Sequence, residues 1–147
     1  MEVEFRLATK EDVKEIIDLC NVVFIEDTSY EYALKVFEET KDDPNNIYLV
    51  GIVDGKIVSH AKITVIHTMY EKMNTYAILN HVCVMEEYRR HNIATKMLTE
   101  IERICKEHGC KKMELWSNNI RVPAHSCYKK YGFHLDDAGF FSMDVRG

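Results

Sequence analysis

The chain has 147 residues, a formal net charge of −5 at pH 7 and 46% hydrophobic residues, which favours one folded domain and excludes a disordered chain. No apolar stretch approaches the roughly 18 residues that a membrane-spanning helix needs, and the N-terminal residues lack the pattern of a secretion signal. The acidic balance argues against a general nucleic-acid binder. We therefore expect neither a nucleic acid nor a membrane as a partner.

The cysteines bear on the compartment and on metal binding. Their number, five, is odd, and none form the short pairs that zinc sites use. A disulfide framework is therefore not expected, and a reducing cytoplasm is. We expect no bound metal.

The first half of the chain predicts two helices between short strands. A strand over 3–7 precedes Thr9, which starts a helix with Asp12 placed three residues on, as in a capping box. A second helix follows Ser29 and ends near Thr40. The buried face of the first helix is predicted from its apolar spacing as Val13, Ile16, Ile17, Cys20, Val23 and Phe24.

Strands and helices alternate in the rest of the chain. The dipeptide Asp54-Gly55 is a strong hairpin signal between two apolar runs, and Gly109 ends a long amphipathic helix. The predicted elements are, in order, strands over 47–53, 56–67 and 75–85, a helix over 93–108, a strand over 112–116, a helix over 123–131 and a terminal hairpin over 133–145.

This order predicts an α/β domain with a mixed central sheet. The three consecutive strands in the middle of the chain favour antiparallel pairing, and the strand–helix–strand unit that follows favours a parallel pair. We expect helices on both faces of the sheet.

Positive charge is concentrated directly before the long helix, in a segment we call the basic turn (Arg89, Arg90 and His91). A helix N-terminus presents unpaired backbone N–H groups and a partial positive charge of roughly half a unit. It is therefore a favourable anion site, and the basic turn would add cations to it. Two other interpretations remain: a solvated surface turn and, more weakly, a nucleic-acid contact.

The segment around the basic turn resembles the acetyl-CoA signature of the GCN5-related N-acetyltransferases (GNAT). That signature is an Arg or Gln, two variable residues, Gly, one variable residue, and Gly or Ala; Arg89, Asn92 and Ala94 occupy these places. The resemblance implies that the backbone of this turn binds the CoA pyrophosphate. The residues implied in cofactor binding here are Arg89, Arg90, His91, Asn92, Ile93, Ala94 and Thr95.

A second segment, over 121–133, resembles the family's Ala-His-x-x-Tyr-x-x-x-Gly-Phe block. The two blocks occur in the family's order, and the predicted elements extend the resemblance over nearly the whole chain. The resemblance therefore implies a single GNAT-like domain over 1–147 with the acyl-CoA N-acyltransferase fold.

Two positions depart from the family pattern. Asn92 replaces the usual Gly, which the family uses where the backbone needs a positive φ or a close approach to the ligand. Asn is the next most tolerant residue for that conformation, so CoA binding is expected to survive with a changed affinity. Arg121 stands where many members have Asn, and either a cofactor contact or a surface role is open to it.

Resemblance also implies most of the catalytic groups. Tyr128 would be the general acid that protonates the leaving thiolate, since a phenol is a protonated donor at neutral pH, whereas Tyr131 is expected to pack. Backbone N–H groups of the strand residues Val82, Cys83 and Val84 would hold the cofactor and polarise the thioester carbonyl.

The general base is the open role. Some relatives carry Glu or His at the position of Asn80, but an amide cannot act as a base. His81 titrates in a suitable range, yet on a regular strand it points to the face opposite Asn80, and only a bulge would re-aim it. A structural histidine, and a base acting through a water placed by Asn80 near the substrate, are the alternatives.

Together these features predict acetyl transfer from acetyl-CoA to a primary amine, by direct attack within a ternary complex. The acceptor is expected to be a small molecule, with a protein amine as second choice, and the chain could form a homodimer. A non-catalytic acyl-CoA sensor is the alternative, because a sensor would keep the basic turn and need no base.

Overall fold

The computed structural model describes residues 1–117 and 122–147. The chain forms two compact units, Met1–Trp116 and Ser117–Gly147, and each is described here by itself. Among the described residues, no helix is both long and apolar enough to cross a membrane.

The first unit contains a five-stranded sheet and three α-helices. Its strands are β1 (Glu4–Leu7), β2 (Asn46–Val53), β3 (Lys56–Ile66), β4 (Tyr76–Val84) and β5 (Lys112–Leu115), and its helices are α1 (Val13–Phe24), α2 (Tyr30–Thr40) and α3 (Ile93–Glu107). The second unit contains α4 (Val122–Tyr131). Each of these elements lies within two or three residues of its predicted bounds.

The sheet is mixed, as predicted. Its strand order is β1-β2-β3-β4-β5, with antiparallel pairs up to β4 and a parallel pair between β4 and β5. Asp54 and Gly55 join β2 to β3 with φ angles of 49° and 79°. Two consecutive positive φ angles match the right-handed twist of the flanking strands, which is why this dipeptide is a strong hairpin signal.

Helices cover both faces of the sheet. On one face, Ile16 and Cys20 of α1 pack with Ile57 and other strand residues. On the other face, Ile93 of α3 packs with Val58. Because Ile57 and Val58 are neighbours on one strand, their side chains point to opposite faces. The predicted α/β architecture is therefore confirmed.

The amphipathic patterns predicted the buried faces of the helices well. The apolar spacing of α3 predicts an inner face of five residues, and all five are buried together with Leu98: Ile93, Met97, Ile101, Ile104 and Cys105. In α1, Leu19 is buried although it was not assigned, whereas Ile17, Val23 and Phe24 are only partly buried.

The terminal hairpin predicted over 133–145 is wrong. Residues 133–147 contain no strand, and the apolar side chains of Leu135, Phe141 and Val145 are exposed. None of residues 136–139 has a positive φ, so no two-residue type I′ turn forms there. The turn-like composition of 136–139 is therefore not accompanied by paired strands on either side.

Asp12 holds the start of α1 against β1. Its carboxylate receives two hydrogen bonds from the Arg6 guanidinium, of 2.6 and 3.0 Å, and further bonds from the backbone N–H and hydroxyl of Thr9. The Arg6 bonds, followed by those from Thr9, hold the pKa of the Asp12 carboxyl at about 2, well below its usual value.

We expect Asp12→Asn to lower the free energy of unfolding by about 1–2 kcal/mol at pH 7, discounting for the partly exposed Arg6. Because the folded-state pKa is depressed, this stabilisation is present above about pH 4 and is lost as the pH falls toward about 2. Urea unfolding at several pH values measures it. The control is Asp18→Asn, since the Lys14–Asp18 pair is exposed; an equal loss in both variants would contradict the assignment.

Candidate functional site

The N-terminus of α3 offers an anion site. Asn92 precedes the helix and makes no side-chain capping bond. The first backbone bond runs from the Lys96 N–H to the Asn92 carbonyl at 3.0 Å, so the N–H groups of residues 93–95 have no acceptor within the helix. These groups point out of the helix end with the positive end of its dipole.

The backbone before α3 is tightly turned. Arg90 and Asn92 have φ angles of 70° and 60°, both in the left-handed region. Gly is favoured there, and Asn is among the residues that tolerate it best. Asn92 is therefore compatible with the left-handed backbone at this position.

Basic residues directly precede this helix end in the chain. The side chains of the basic turn are exposed, and the Arg89 Nε donates a hydrogen bond of 3.2 Å to the carbonyl of Val84 at the end of β4. The first turn of α3 contains no acidic residue. Glu86 and Glu87 lie in the preceding short 3-10 turn, so the acidic residues stop before the basic turn begins.

The strand leading to the basic turn has an open edge. β4 pairs with β5 only from Tyr76 to Leu79, although β4 continues to Val84. β5 therefore forms no pair with residues 80–84 of β4. Along the chain, this edge is followed by the basic turn and the N-terminus of α3.

A β-bulge interrupts β4 where this edge opens. Lys62 pairs with Asn80 and His60 pairs with Cys83, so β4 carries one more residue than β3 between these pairs. His81 within the bulge has a φ of 50°. The regular alternation assumed for this strand from the sequence is therefore wrong.

The bulge turns His81 toward α1. Its ring lies 4.7 Å from that of Phe24, edge to face, and its Nε2 lies 2.9 Å from Oε1 of Glu26. Asn80 shares the α1 face, because it is in register with Lys62, which lies two residues from the buried His60 on the same face. The exposed side chains of Asn80 and His81 are thus brought to one side of the sheet.

His60 of β3 pairs with Cys83 of β4 next to the bulge. It is buried, and its Nδ1–H donates a 2.8 Å hydrogen bond to the carbonyl of Leu49. Burial lowers the pKa of His60 to about 4, so its ring is neutral at pH 7. It anchors β3 to β2 beside the bulge.

Two predicted site residues lie beyond the first unit. Tyr128 is half-buried on α4, with its ring 5.8 Å from that of Phe133, and Tyr131 lies 6.2 Å from the same ring. Arg121 falls outside the described residues. The roles of Tyr128 and Arg121, and a single domain over 1–147, stay predictions.

A cavity in the first unit lies away from these residues. It has a volume of about 410 Å³ and is lined by the edge of β1 and β2, the loop after α2 and the C-terminal half of α3, including Arg103 and His108. None of the predicted site residues lines it. The described residues contain no cluster of three or more His, Cys, Asp or Glu that could hold a metal.

Sequence analysis did not predict the contacts of His81 with Glu26 and Phe24. Both residues lie far from His81 in the chain, and no local pattern links them to it. Only the docking of α1 on the sheet brings them together. Lys62 was also missed, although a lysine within the apolar run of β3 was a visible signal.

The chain resembles known proteins in sequence and in fold. It is 26% identical to the L-amino acid N-acetyltransferase AaaT of Escherichia coli K12 over 103 residues, or 69% of this chain and 62% of that protein. Among solved structures, it matches glucosamine-6-phosphate N-acetyltransferase from Arabidopsis thaliana with a TM-score of 0.83 and 18% identity, covering 97% of this chain and 99% of the other.

A third similarity includes the ligand implied by the sequence. A predicted acetyltransferase from Clostridium acetobutylicum, solved with acetyl-CoA, matches with a TM-score of 0.78 and 20% identity, covering 97% of this chain and 96% of the other. The profile of the Acetyltransferase (GNAT) family matches residues 10–133, which include β4, the basic turn and α4. The chain therefore belongs to the GNAT acetyltransferase family.

Proposed function

We propose that this protein transfers an acetyl group from acetyl-CoA to a primary amine of a small molecule by direct attack in a ternary complex. The observation that carries this proposal is the edge of β4 beyond its pairing with β5, which is followed, after a short 3-10 turn and the basic turn, by the uncapped N-terminus of α3. A ligand with a long polar arm and a diphosphate matches both features.

The chain's own groups suit the two parts of CoA. The N–H groups of residues 93–95 and the basic turn would bind the diphosphate. Backbone groups of Val82, Cys83 and Val84 would bind along the arm, and an N–H there would polarise the thioester carbonyl as an oxyanion hole does. Arg121 is a further candidate for cofactor binding.

Relatives support a small-molecule acceptor. One is named for L-amino acids and another for glucosamine 6-phosphate. The match to the first spans 62% of that protein's length, so its substrate does not transfer directly to this chain. A protein amine is the less favoured acceptor.

We assign the base role to His81. The bulge re-aims its ring to the α1 face beside Asn80, and Glu26 lies within hydrogen-bond reach to orient it. His81 would take a proton from the amine, and Asn80 would help position that amine. Tyr128 would donate a proton to the departing thiolate.

The cytoplasm is the compartment we favour. None of the five cysteines forms a disulfide in the described residues, and three of them are buried, which fits a reducing environment. The family profile extends across both compact units, which supports treating residues 1–147 as one domain.

CoA should bind more tightly than pantetheine in calorimetry, because only CoA carries the diphosphate. Asn92→Gly should preserve or improve CoA affinity, since Gly adopts the observed φ without cost. Asn92→Val should weaken it about tenfold, because a β-branched residue resists that conformation. Equal affinities for CoA and pantetheine would remove the anion site from the proposal.

The wild-type protein should release CoA thiol when acetyl-CoA is supplied with a panel of primary amines. Tyr128→Phe should lower kcat by about 10²–10⁴-fold with little change in CoA affinity, because it removes a proton donor and little volume. Tyr131→Phe is the matched control on the same helix and should retain kcat. If CoA binds but no amine stimulates thiol release, the protein is a sensor rather than an enzyme.

The pH dependence of kcat/KM tests His81. If His81 is the base, kcat/KM should rise with pH as the base loses its proton, and His81→Ala should abolish this rise with two amines of different pKa. His134→Ala is the control, since that side chain is exposed in the second unit. A rise that persists in His81→Ala, with a midpoint that follows the pKa of the amine, would favour a water-mediated base instead.

A further inference from the structure

One half of the sheet face beside His81 is not covered by α1. In this half, burial alternates along β2, β3 and β4. Leu49, Ile63 and Leu79 point to the opposite face of the sheet and are buried. Their strand neighbours Tyr48 and Lys62 point to the α1 face and remain partly exposed. Nearer the basic turn, the α1 face is buried through Val50, Ile57 and Cys83. The partly exposed half, which we call the trough, lies on the α1 face of the sheet beside Asn80 and His81, and α2 packs against its far side through Phe37 and Thr40.

Lys62 lies in this trough with its ammonium group already oriented. Its Nζ donates a 2.5 Å hydrogen bond to the Thr64 hydroxyl and lies 5.5 Å from the centre of the Tyr48 ring. The Tyr48 hydroxyl is in turn 2.8 Å from the Thr40 hydroxyl of α2. The lysine is therefore held by packing and by a neutral acceptor, not by solvent alone.

No carboxylate balances this charge at close range. Among the described residues, none forms an ion pair with Lys62, and Asp43 acts on it only from a distance. Partial burial accordingly lowers the pKa of Lys62. A half-buried ammonium group without a carboxylate to balance its charge lowers the stability of the fold. An anion entering the trough would offset that cost.

The position of Lys62 relates it to the reacting groups. Lys62 is in register with Asn80, next to the bulged His81, and paired residues of neighbouring strands lie about 5 Å apart. Its Nζ reaches back to Thr64, two residues away along β3, or about 7 Å at the spacing of a β-strand. The ammonium therefore lies several bond lengths from the place where His81 would meet an amine.

We propose that Lys62 binds an anionic group of the acceptor, a carboxylate or a phosphate carried several bonds away from the reacting amine. This inference rests on the proposed function, because it names the substrate class of the same site. Amines of this class include ω-amino acids and amino sugar phosphates. The interaction is a charge-assisted hydrogen bond in a partly desolvated trough, where it gains over the same contact in water.

The experiment compares acceptors that differ only in the anion. Each acid is paired with its neutral partner: 4-aminobutyrate with its amide, 6-aminohexanoate with its amide, and glucosamine 6-phosphate with glucosamine. The ratio of kcat/KM for each anionic acceptor to that for its neutral partner is measured in the wild type and in Lys62→Met. Using this ratio cancels any general effect of the substitution on catalysis, and the two kinds of pair distinguish carboxylate from phosphate.

We expect Lys62→Met to lower this ratio about 10- to 100-fold for at least one kind of anion, as for the loss of a hydrogen bond to a charged group. Turnover of the neutral amines should persist. Glycine and its amide should show a much smaller change, because the carboxylate of glycine lies too close to its amine. Lys56→Met is the matched control: it removes the same charge from an exposed position on the same strand and should leave every ratio unchanged.

Folding is checked by thermal unfolding, where Lys62→Met should be as stable as the wild type or more stable, because it removes an unbalanced charge. If the variant does not fold, Lys62→Gln provides the same comparison. An unchanged ratio with every pair would overturn the role of Lys62 while acetylation of neutral amines still supported the proposed function. A wild type that acetylates no amine would instead overturn the function itself.

Discussion

The extra residue in β4 is the constraint on which the site depends. Between the pairs Lys62–Asn80 and His60–Cys83, β4 is one residue longer than its partner, and His81 absorbs the difference with a positive φ. A bulge bends its strand and increases the local twist. The pairing of β4 with β5 stops just before the bulge, at Leu79, because β5 itself ends at Leu115. The extra residue thus aims the histidine beside an edge of β4 that β5 does not pair with.

The arrangement is held by the part of the sheet that is fully buried. His60 is neutral and bonded to the carbonyl of Leu49, so it adds no charge to the interior next to the bulge. Cys83, its partner across the strands, packs under α1. A bulge flanked by such rigid neighbours has little freedom to slip in register. The strain of a left-handed His81 is therefore retained at the place where the proposed chemistry needs it.

Charge distribution separates the two ligands of the proposed reaction. The protein is acidic overall, yet the basic turn places its cations at one helix end, and Lys62 places another in the trough. The first group lies where a diphosphate would meet free backbone N–H groups. The second lies on the α1 face of the sheet, among groups suited to a single smaller anion. One cofactor and one acceptor would thus be guided to different sides of β4.

Local sequence patterns predicted the helices and strands and the candidate anion site at the N-terminus of α3. The apolar spacing of α3, its stop at Gly109 and the Asp54-Gly55 turn depend on neighbouring residues only, and each was predicted correctly. The basic turn and the tolerance of Asn92 for a positive φ were equally local. The terminal hairpin failed because residues 136–139 resemble a turn in composition, while their backbone lacks the required φ angles.

Tertiary structure alone decided the geometry around His81. Period-two alternation along β4 carries no information about a length mismatch with β3, so the bulge could not be read from either strand by itself. The contact of His81 with Glu26 joins residues 55 positions apart, and the unbalanced charge of Lys62 depends on which acidic residues the fold keeps away from it. The sequence by itself therefore determined the family and the order of elements, and it predicted an anion site at the N-terminus of α3, because these depend on short-range spacing. Which side chains lie beside His81 on the α1 face was decided only when the strands paired, because register and the covering of one sheet face are long-range properties.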